Sequence, residues 1–308
     1  MNKNRLREGA DVMLEKMIRM QTAKQEKQLE RWQKEHDAAN PFPDDVSLTE
    51  NVEYISDGKT YHRMDIYTQK GNTKHMPVLV NLHGGGLLLG KKEVNRLYCA
   101  DMCRRGFTVF CVEYPLVPDN DIFSILRDIT AAVNFVDEIA SEYGGDPSRL
   151  YMCGDSAGAY LCVYLSAIQN NNDIAAAAGI SPIIPQIRAL GLISGMFYTC
   201  RNDKIGMFLP KMIYGKGWKN TPFYKYTDPD DPSVASSLPP CFLVTANGDF
   251  LRQYSRDFAN ALEKCGVTHV LLDIDGNEKL PHAFAAMLPE KAESQRANAV
   301  MAAFLLEI

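Results

Sequence analysis

The sequence has no long apolar run, no large excess of one charge and only six histidines. No stretch of about 18 apolar residues occurs, so no segment predicts a membrane-spanning helix. The formal net charge is -5 without a long block of one sign, which argues against nucleic acid because phosphate binding needs a basic face. The N-terminal segment lacks the apolar core of a signal peptide. We therefore expect a cytoplasmic protein with neither a membrane nor a nucleic-acid partner.

The eight cysteines fit a reducing compartment rather than a disulfide or metal framework. Cys111, Cys153 and Cys241 lie in apolar, strand-like runs, where thiols act as small core residues. Cys99 and Cys103 are four apart on a predicted helix, but no second Cys/His pair lies near them. We expect no metal site.

The first forty residues predict a long, highly charged helix. Asn40-Pro41-Phe42-Pro43 ends it. A helix this polar forms no core of its own, so we expect its apolar stripe to lie against another part of the chain, either as a plain docking helix or as part of a lid. We assign residues 1–45 to a helical cap segment and residues 46–308 to the main domain. The stripe consists of Leu6, Ala10, Met13, Met17 and Met20.

Beyond the cap segment, short apolar runs alternate with helical patterns. Such alternation predicts an α/β fold in which a mostly parallel sheet of about eight strands is covered by helices on both faces. The first two strands form a hairpin joined at Asp57-Gly58. The predicted strands are 52–55, 61–67, 78–82, 107–112, 150–153, 190–193, 241–245 and 270–274, and the predicted helices are 92–105, 122–143, 157–169, 250–265 and 289–306.

One stretch, 197–238, interrupts this alternation and predicts an insertion over the carboxyl edge of the sheet, where such folds bind ligands. Eight aromatic residues crowd into 197–226. They either line the ligand site or pack into a small core of the insertion itself, and the sequence leaves both interpretations open.

A G-x-S-x-G motif follows the predicted strand 150–153 and precedes a predicted helix. Strand, sharp turn and helix form the arrangement that exposes a serine hydroxyl at the top of a sheet. The small flanking residues are needed because the turn is tight and crowds its neighbours. The motif makes the serine a candidate nucleophile at a helix N-terminus, which favours negative charge. Its residues are Gly154-Asp155-Ser156-Ala157-Gly158.

A glycine-rich segment, His83-Gly84-Gly85-Gly86, comes directly after the apolar run 78–82. Consecutive glycines let the backbone approach a substrate and aim N–H groups at a carbonyl oxygen. We expect the N–H groups of Gly84, Gly85 and Ala157 to form an oxyanion hole. His83 braces the loop, and the leucines at 87–89 narrow one side of the pocket.

These two motifs together resemble the hormone-sensitive-lipase-like group of α/β-hydrolases, which includes many bacterial carboxylesterases. The resemblance runs from about residue 50 to the end. It departs from the group's pattern at Pro115, where arginine is commoner, and at Ala159 and Ala283, where glycine is commoner. The resemblance implies an α/β-hydrolase fold with a helical cap.

The resemblance also implies an acid after the penultimate strand and a histidine after the last. Asp249 and His282 stand at those places, in the chain order that this fold uses. Three other carboxylates, Asp257, Asp273 and Asp275, are the rivals of Asp249. The implied activity is that of a serine carboxylesterase on small short- to medium-chain esters, with Ser156 as nucleophile and no cofactor.

Two alternatives keep the fold but change the function. An amidase or peptidase needs the same nucleophile and oxyanion hole, so the sequence does not separate it from an esterase. A non-catalytic small-molecule receptor is known in the same group and has lost the catalytic histidine, whereas His282 is present here. The last strand and helix, 267–306, are the candidate edge of a homodimer.

Overall fold

The computed structural model describes the backbone of residues 3–308 and the side chains of Met13 and of residues 16–308. It contains one eight-stranded sheet with the strand order β1-β2-β4-β3-β5-β6-β7-β8. The strands β1 and β2 are antiparallel to their neighbours, and all other pairs are parallel. The strands are β1 (Val46–Glu53), β2 (Arg63–Gln69), β3 (Met76–Leu82), β4 (Thr108–Val112), β5 (Gly145–Asp155), β6 (Ile187–Ile193), β7 (Cys241–Ala246) and β8 (His269–Ile274).

Helices cover both faces of this sheet, because the central strands are apolar on both sides. Side chains of α3, α4 and α9 pack on one face, and side chains of α2, α10 and α11 pack on the other. The predicted mostly parallel sheet of about eight strands is therefore confirmed. The helices are α1 (Lys3–Ala39), α2 (Arg96–Arg104), α3 (Ile122–Ile139), α4 (Ala157–Asn170), α5 (Asn172–Ala178), α6 (Lys204–Phe208), α7 (Pro210–Tyr214), α8 (Pro232–Ala235), α9 (Arg252–Lys264), α10 (Phe284–Met287) and α11 (Ala292–Glu307).

The parallel register brings the ends of the central strands to one edge of the sheet. Leu82 of β3 pairs with Gly154 of β5, and Asp155 pairs with Ile193 of β6. The loops after β3, β5, β6, β7 and β8 therefore open at the same edge, where side chains from distant parts of the sequence can meet.

The first strand was predicted too late and too short. It runs from Val46 to Glu53 rather than over 52–55. The reason is its position at the edge of the sheet, where residues 49–51 are exposed and carry no apolar pattern. It does form the predicted antiparallel pair with β2, across a loop at residues 54–62.

The long helix α1 contacts the rest of the chain through a different face from the predicted one. Met13, Met17 and Met20 are 68%, 59% and 68% exposed, and the side chains of Leu6 and Ala10 lie outside the described residues. The contacting face includes Leu29, which lies in a cavity wall, and Gln33, whose amide donates to the Glu93 carbonyl. Among the described residues, no helix is both long and apolar enough to cross a membrane.

Candidate active site

Ser156 is the single residue between the end of β5 and the start of α4. Its backbone has φ 52° and ψ -110°, a conformation that an L-residue rarely adopts and that costs about 1–3 kcal/mol. Two hydrogen bonds hold it there: its N–H donates to the Ile193 carbonyl at 2.8 Å, and its carbonyl accepts from the Met196 N–H at 2.9 Å. The loop after β6 thus fixes the serine turn.

The glycines around Ser156 are required by space. A Cβ at Gly158 would lie 1.9 Å from the Leu82 carbonyl oxygen, and a Cβ at Gly154 would lie 2.5 Å from the backbone of Gly158. Real Cβ atoms do not approach so closely, so a larger residue at either position would displace α4 from β3.

The Gly84 N–H is already engaged, which differs from its predicted role in an oxyanion hole. It donates to Asp155 Oδ1 at 3.0 Å, and Asn95 Nδ2 donates to the same oxygen at 2.8 Å. By contrast, the N–H groups of Gly85 and Gly86 have no protein acceptor within the described part of the chain. Gly85 has φ +121° and no room for a Cβ, which would lie 1.7 Å from the Leu89 carbonyl oxygen. The loop therefore needs glycine here and leaves two donors free.

Asp155 holds the two motifs together rather than facing solvent. It is buried, and burial raises the pKa of its carboxyl above the usual range despite the hydrogen bond from Asn95 and the positive charge of nearby histidines. A Cβ at Gly84 would lie 2.2 Å from Asp155 Oδ2. This close contact accounts for the glycine directly after His83.

His83 is buried under the glycine loop and bonded through both ring nitrogens. Nδ1 lies 2.7 Å from the Gly84 carbonyl oxygen, and Nε2 lies 3.1 Å from Glu113 Oε1. The ring stacks on Tyr114 with centroids 4.3 Å apart. Both partners are acceptors, so only the protonated imidazolium satisfies both bonds. Burial lowers the pKa of His83, but the Glu113 carboxylate raises it more, and the net pKa lies above its usual value.

Glu113 was not predicted as a site residue, although its position directly after β4 was a usable signal. Its second oxygen accepts the Lys92 N–H at 2.8 Å, so one carboxylate ties His83 to the segment leading into α2. The glycine loop is thus held by two interactions: the ion pair of His83 with Glu113, and the hydrogen bond from the Gly84 N–H to Asp155.

We expect Glu113→Gln to destabilise the protein by about 2 kcal/mol at about pH 6 and by less at about pH 9. The pKa of His83 is raised on folding, so its contribution to stability is fully present below about pH 6.5 and is lost as the pH rises through the folded value. Urea unfolding at both pH values measures the difference, with the exposed Glu138→Gln as control. Equal destabilisation at both pH values would show that His83 is not held as an imidazolium.

Asp249 and His282 meet at the same edge of the sheet. His282 Nδ1 lies 2.7 Å from Asp249 Oδ1. The same oxygen accepts the Leu251 N–H at 2.8 Å, and Oδ2 accepts the Thr245 hydroxyl at 2.8 Å. Burial raises the pKa of Asp249, but the His282 hydrogen bond and charge and the Leu251 N–H lower it more, so the pKa lies below its usual value. The carboxylate is kept ionised beside the imidazole.

The rival carboxylates all lie in other ion pairs. Asp257 binds the Arg201 guanidinium. Asp273 Oδ1 lies 2.7 Å from Arg252 Nε, and Asp275 binds the same guanidinium at 3.3 Å. None of the three contacts His282.

Ser194 is a second residue that the sequence analysis did not single out. It follows β6 directly, has φ 49° and is fully buried. Its hydroxyl accepts the N–H of Ala283 at 3.0 Å, and its nearness to the Asp249 carboxylate helps to lower the pKa of that group. The loop that fixes the Ser156 turn therefore also fixes the loop that carries His282.

Ser156 and His282 line one cavity of about 480 Å³. No hydrogen bond joins the Ser156 hydroxyl to His282 within the described part of the chain. The Phe250 ring lies against the imidazole, with centroids 4.3 Å apart, and is itself 74% exposed at the cavity mouth. The remaining wall is mostly aliphatic, and its members outside the motifs include Leu88, Leu89, Val94, Met196, Ile205, Leu209 and Met287.

One expectation about the pocket needs correction, and the structure also shows where the aromatic residues of the insertion lie. Leu88 and Leu89 line the cavity as expected, but Leu87 is fully buried elsewhere. None of the eight aromatic residues of 197–226 lines the cavity. Five of them are buried in the core that also contains α3 and α9, as shown by Phe197 against Phe258 and by Phe223 against Phe123. Phe208 and Tyr224 are 48% and 44% exposed. The insertion contributes aliphatic side chains to the cavity, and its buried rings join the core between the sheet and the helices α3, α4 and α9.

A second cavity of about 640 Å³ contains neither Ser156 nor His282. It lies beyond Glu113 and is lined by charged residues of both signs, including Arg63 and Lys92. Its larger size does not make it the better candidate, because none of its described lining residues is a serine, a cysteine or a histidine. Among the described residues, no cluster of three or more His, Cys, Asp or Glu side chains is arranged to hold a metal ion.

The sequence profile of the alpha/beta hydrolase fold family matches residues 79–286, more than half of the chain. This chain belongs to that family. The match confirms the fold predicted from the sequence and the resemblance to the hormone-sensitive-lipase-like group.

Similar proteins within the family are esterases by name. A probable isoprenylcysteine alpha-carbonyl methylesterase of Arabidopsis thaliana is 26% identical over 226 residues, which are 70% of this chain and 48% of the relative. The chain spans about half the length of the plant relatives it matches. A carboxylesterase of Mycobacterium tuberculosis is 27% identical over 253 residues, 77% of this chain and 76% of the relative.

The fold also resembles a solved structure over nearly its whole length. Esterase B of Lactobacillus rhamnosis, inhibited by a tributyrin phosphonate, superimposes with a TM-score of 0.87 and 21% identity, covering 94% of this chain and 95% of that one. At this identity the likeness establishes the fold alone.

Proposed function

We propose that the chain is a serine esterase that hydrolyses small short- to medium-chain acyl esters. The observation that carries this proposal is the Asp249–His282 pair, 2.7 Å apart, opening on the same cavity as the strained Ser156. The names of the Arabidopsis and Mycobacterium relatives support an ester substrate.

In the proposed reaction, His282 Nε2 takes the Ser156 proton as the hydroxyl oxygen attacks the ester carbonyl carbon. Asp249 keeps Nδ1 protonated and stabilises the imidazolium that forms. His282 then gives its proton to the leaving alcohol, and an acyl-enzyme remains on Ser156. Water hydrolyses it with His282 again as base. The serine–histidine hydrogen bond forms when substrate is bound, a tightening common in such sites.

The oxyanion of both tetrahedral intermediates is held by backbone N–H groups. We propose Gly85, Gly86 and Ala157 as the donors, with Gly86 in place of Gly84, because the Gly84 N–H is bound to Asp155. Ala157 is the first residue of α4, so its N–H has no acceptor within the helix. One such donor is typically worth about 3 kcal/mol in the barrier.

We propose that residues 1–45 and the insertion at 197–238 together cap the cavity of the main domain. Gln25 and Leu29 of α1 form one part of its wall, and Ile205 and Leu209 of the insertion form another. A cavity of this size and aliphatic lining suits a small apolar acyl group.

Hydrolysis of nitrophenyl esters from acetate to palmitate tests the activity. We expect a peak at short to medium chains and at least a tenfold fall in kcat/KM by palmitate, because the aliphatic wall ends the acyl pocket. We expect Leu29→Ala to raise the octanoate-to-butyrate ratio of kcat/KM by about tenfold.

The matched control is Met17→Ala, which shortens an exposed side chain of the same helix and leaves the profile unchanged. An unaltered profile in Leu29→Ala would contradict the cap proposal. A folded protein that cleaves no ester of the series, but cleaves the corresponding anilides, would replace the esterase by an amidase.

A further inference from the structure

The outward face of α1 carries one continuous stripe with an apolar end and a basic end. Starting at Met13, every third or fourth residue falls on the same side of an α-helix. The members whose side chains are described are all exposed, and they are Met13, Met17, Met20, Lys24, Lys27, Arg31 and Lys34. The stripe therefore extends the methionines that the sequence analysis recognised into a row of four cations.

None of the acidic residues of α1 whose side chains are described is a member of this stripe. Glu30 approaches Lys91 at 3.6 Å, on the side of the helix that contacts the main domain. Glu35 lies beside the stripe and binds Arg31 at 2.9 Å. Lys24, Lys27 and Lys34 make no ion pair within the described part of the chain. Like charges placed side by side repel, so this face is complementary to a dense negative charge.

We propose that this stripe docks the protein on an anionic lipid surface. From Met13 to Lys34 it extends for about 32 Å along a straight helix, at 1.5 Å per residue, and so presents a row of contacts to a plane. Methionine side chains are flexible and enter irregular apolar surroundings, and a cluster of lysines binds acidic headgroups. A fluid headgroup layer can adjust to a convex helix, whereas a protein partner needs a matching shape.

Docking in this way needs no spanning segment, so it is compatible with the absence of one among the described residues. It revises the expectation that the protein has no membrane partner, which rested on the lack of a spanning helix. The opposite face of the same helix forms part of the cavity wall through Gln25 and Leu29. Binding at the stripe would therefore hold the candidate active site close to the lipid surface. The inference does not depend on the proposed reaction.

Cosedimentation with vesicles tests the proposal. We expect the full chain to bind phosphatidylcholine vesicles that contain about 30 mol% phosphatidylglycerol, and not pure phosphatidylcholine, with binding reduced at high salt. The variant Lys24→Gln/Lys27→Gln/Lys34→Gln should bind about a hundredfold more weakly, at about fivefold per cation. Met13→Ser/Met17→Ser/Met20→Ser should weaken binding at both low and high salt, because it removes apolar contacts, which salt does not screen.

The control with the same change in charge is Lys70→Gln/Lys74→Gln/Lys264→Gln, whose exposed lysines lie on the main domain. It should bind like the wild type. No binding of the wild type to anionic vesicles, or an equal loss in the control, would overturn the proposal. Sedimentation of the protein without vesicles tests for self-association. Self-association that the α1 substitutions abolish would overturn the lipid proposal and show that the stripe binds a second copy of the chain.

Discussion

We expect Ser156→Ala to lower kcat/KM on nitrophenyl butyrate by about 10⁴-fold or more, while the protein stays folded. The hydroxyl is the protein group that forms a bond to the substrate carbon in the proposed reaction. The substitution removes one oxygen that faces the cavity and makes no hydrogen bond to His282. The strained backbone at φ 52° remains, since Ile193 and Met196 bind its main chain rather than its side chain.

Ser166→Ala is the matched control for this experiment. It removes a hydroxyl from the same helix, α4, and that hydroxyl is fully buried without a hydrogen-bond partner. Its activity should stay within twofold of the wild type. Retention of activity within about tenfold in Ser156→Ala would show that another group is the nucleophile, and circular dichroism would establish that both variants are folded.

The central sheet, its covering helices and the serine motif could be predicted from the sequence because each depends on a pattern of neighbouring residues. The parallel strands are continuous apolar runs, and the G-x-S-x-G motif lies between a run and a helical pattern, so both could be placed without long-range information. The edge strand β1 gave no such signal, since half of it faces solvent. The strand order was not predicted, and Asp249 and His282 were assigned as partners of Ser156 from the resemblance to the hormone-sensitive-lipase-like group.

Side-chain partners across the sheet could not be predicted in the same way. The engagement of Gly84 by Asp155 depends on a contact between loops 71 residues apart. Glu113 and Ser194 act through His83, Asp249 and Ala283, none of which is near them in the sequence. A composition count likewise cannot tell whether an aromatic ring faces a cavity or a core, and for five of the eight rings of 197–226 it was the core.

The face of α1 was misjudged for a physical reason. An apolar stripe on a charged helix predicts burial when the stripe is the face through which the helix contacts the rest of the protein. The face of α1 that contacts the main domain is instead a mixture of polar and apolar residues, namely Thr22, Gln25, Leu29 and Gln33. Polar side chains there bond to the main domain, as Gln33 does to the Glu93 carbonyl. A prediction from hydrophobicity alone therefore assigned the exposed face of α1 as the face that contacts the main domain.

We expect Asp249→Asn to lower kcat/KM by about 10³-fold or more, through loss of charge rather than of geometry. The Leu251 N–H donates to Oδ1 and so keeps an oxygen at that place, where it can still accept a hydrogen bond from His282 Nδ1–H. The Thr245 hydroxyl can turn to accept from the new amide nitrogen. The imidazolium that forms during attack then lacks its buried counter-charge.

The control for this charge is Asp273→Asn, which removes a carboxylate of the same type on the next strand. Asp273 binds Arg252 and Arg256 and does not contact His282, so kcat/KM should stay within about twofold. Steady-state kinetics on nitrophenyl butyrate compares the two variants, and their unfolding transitions separate activity from stability. If Asp273→Asn lost more activity than Asp249→Asn, the acid would be on β8 rather than after β7. The order of the two losses therefore decides which carboxylate serves the histidine.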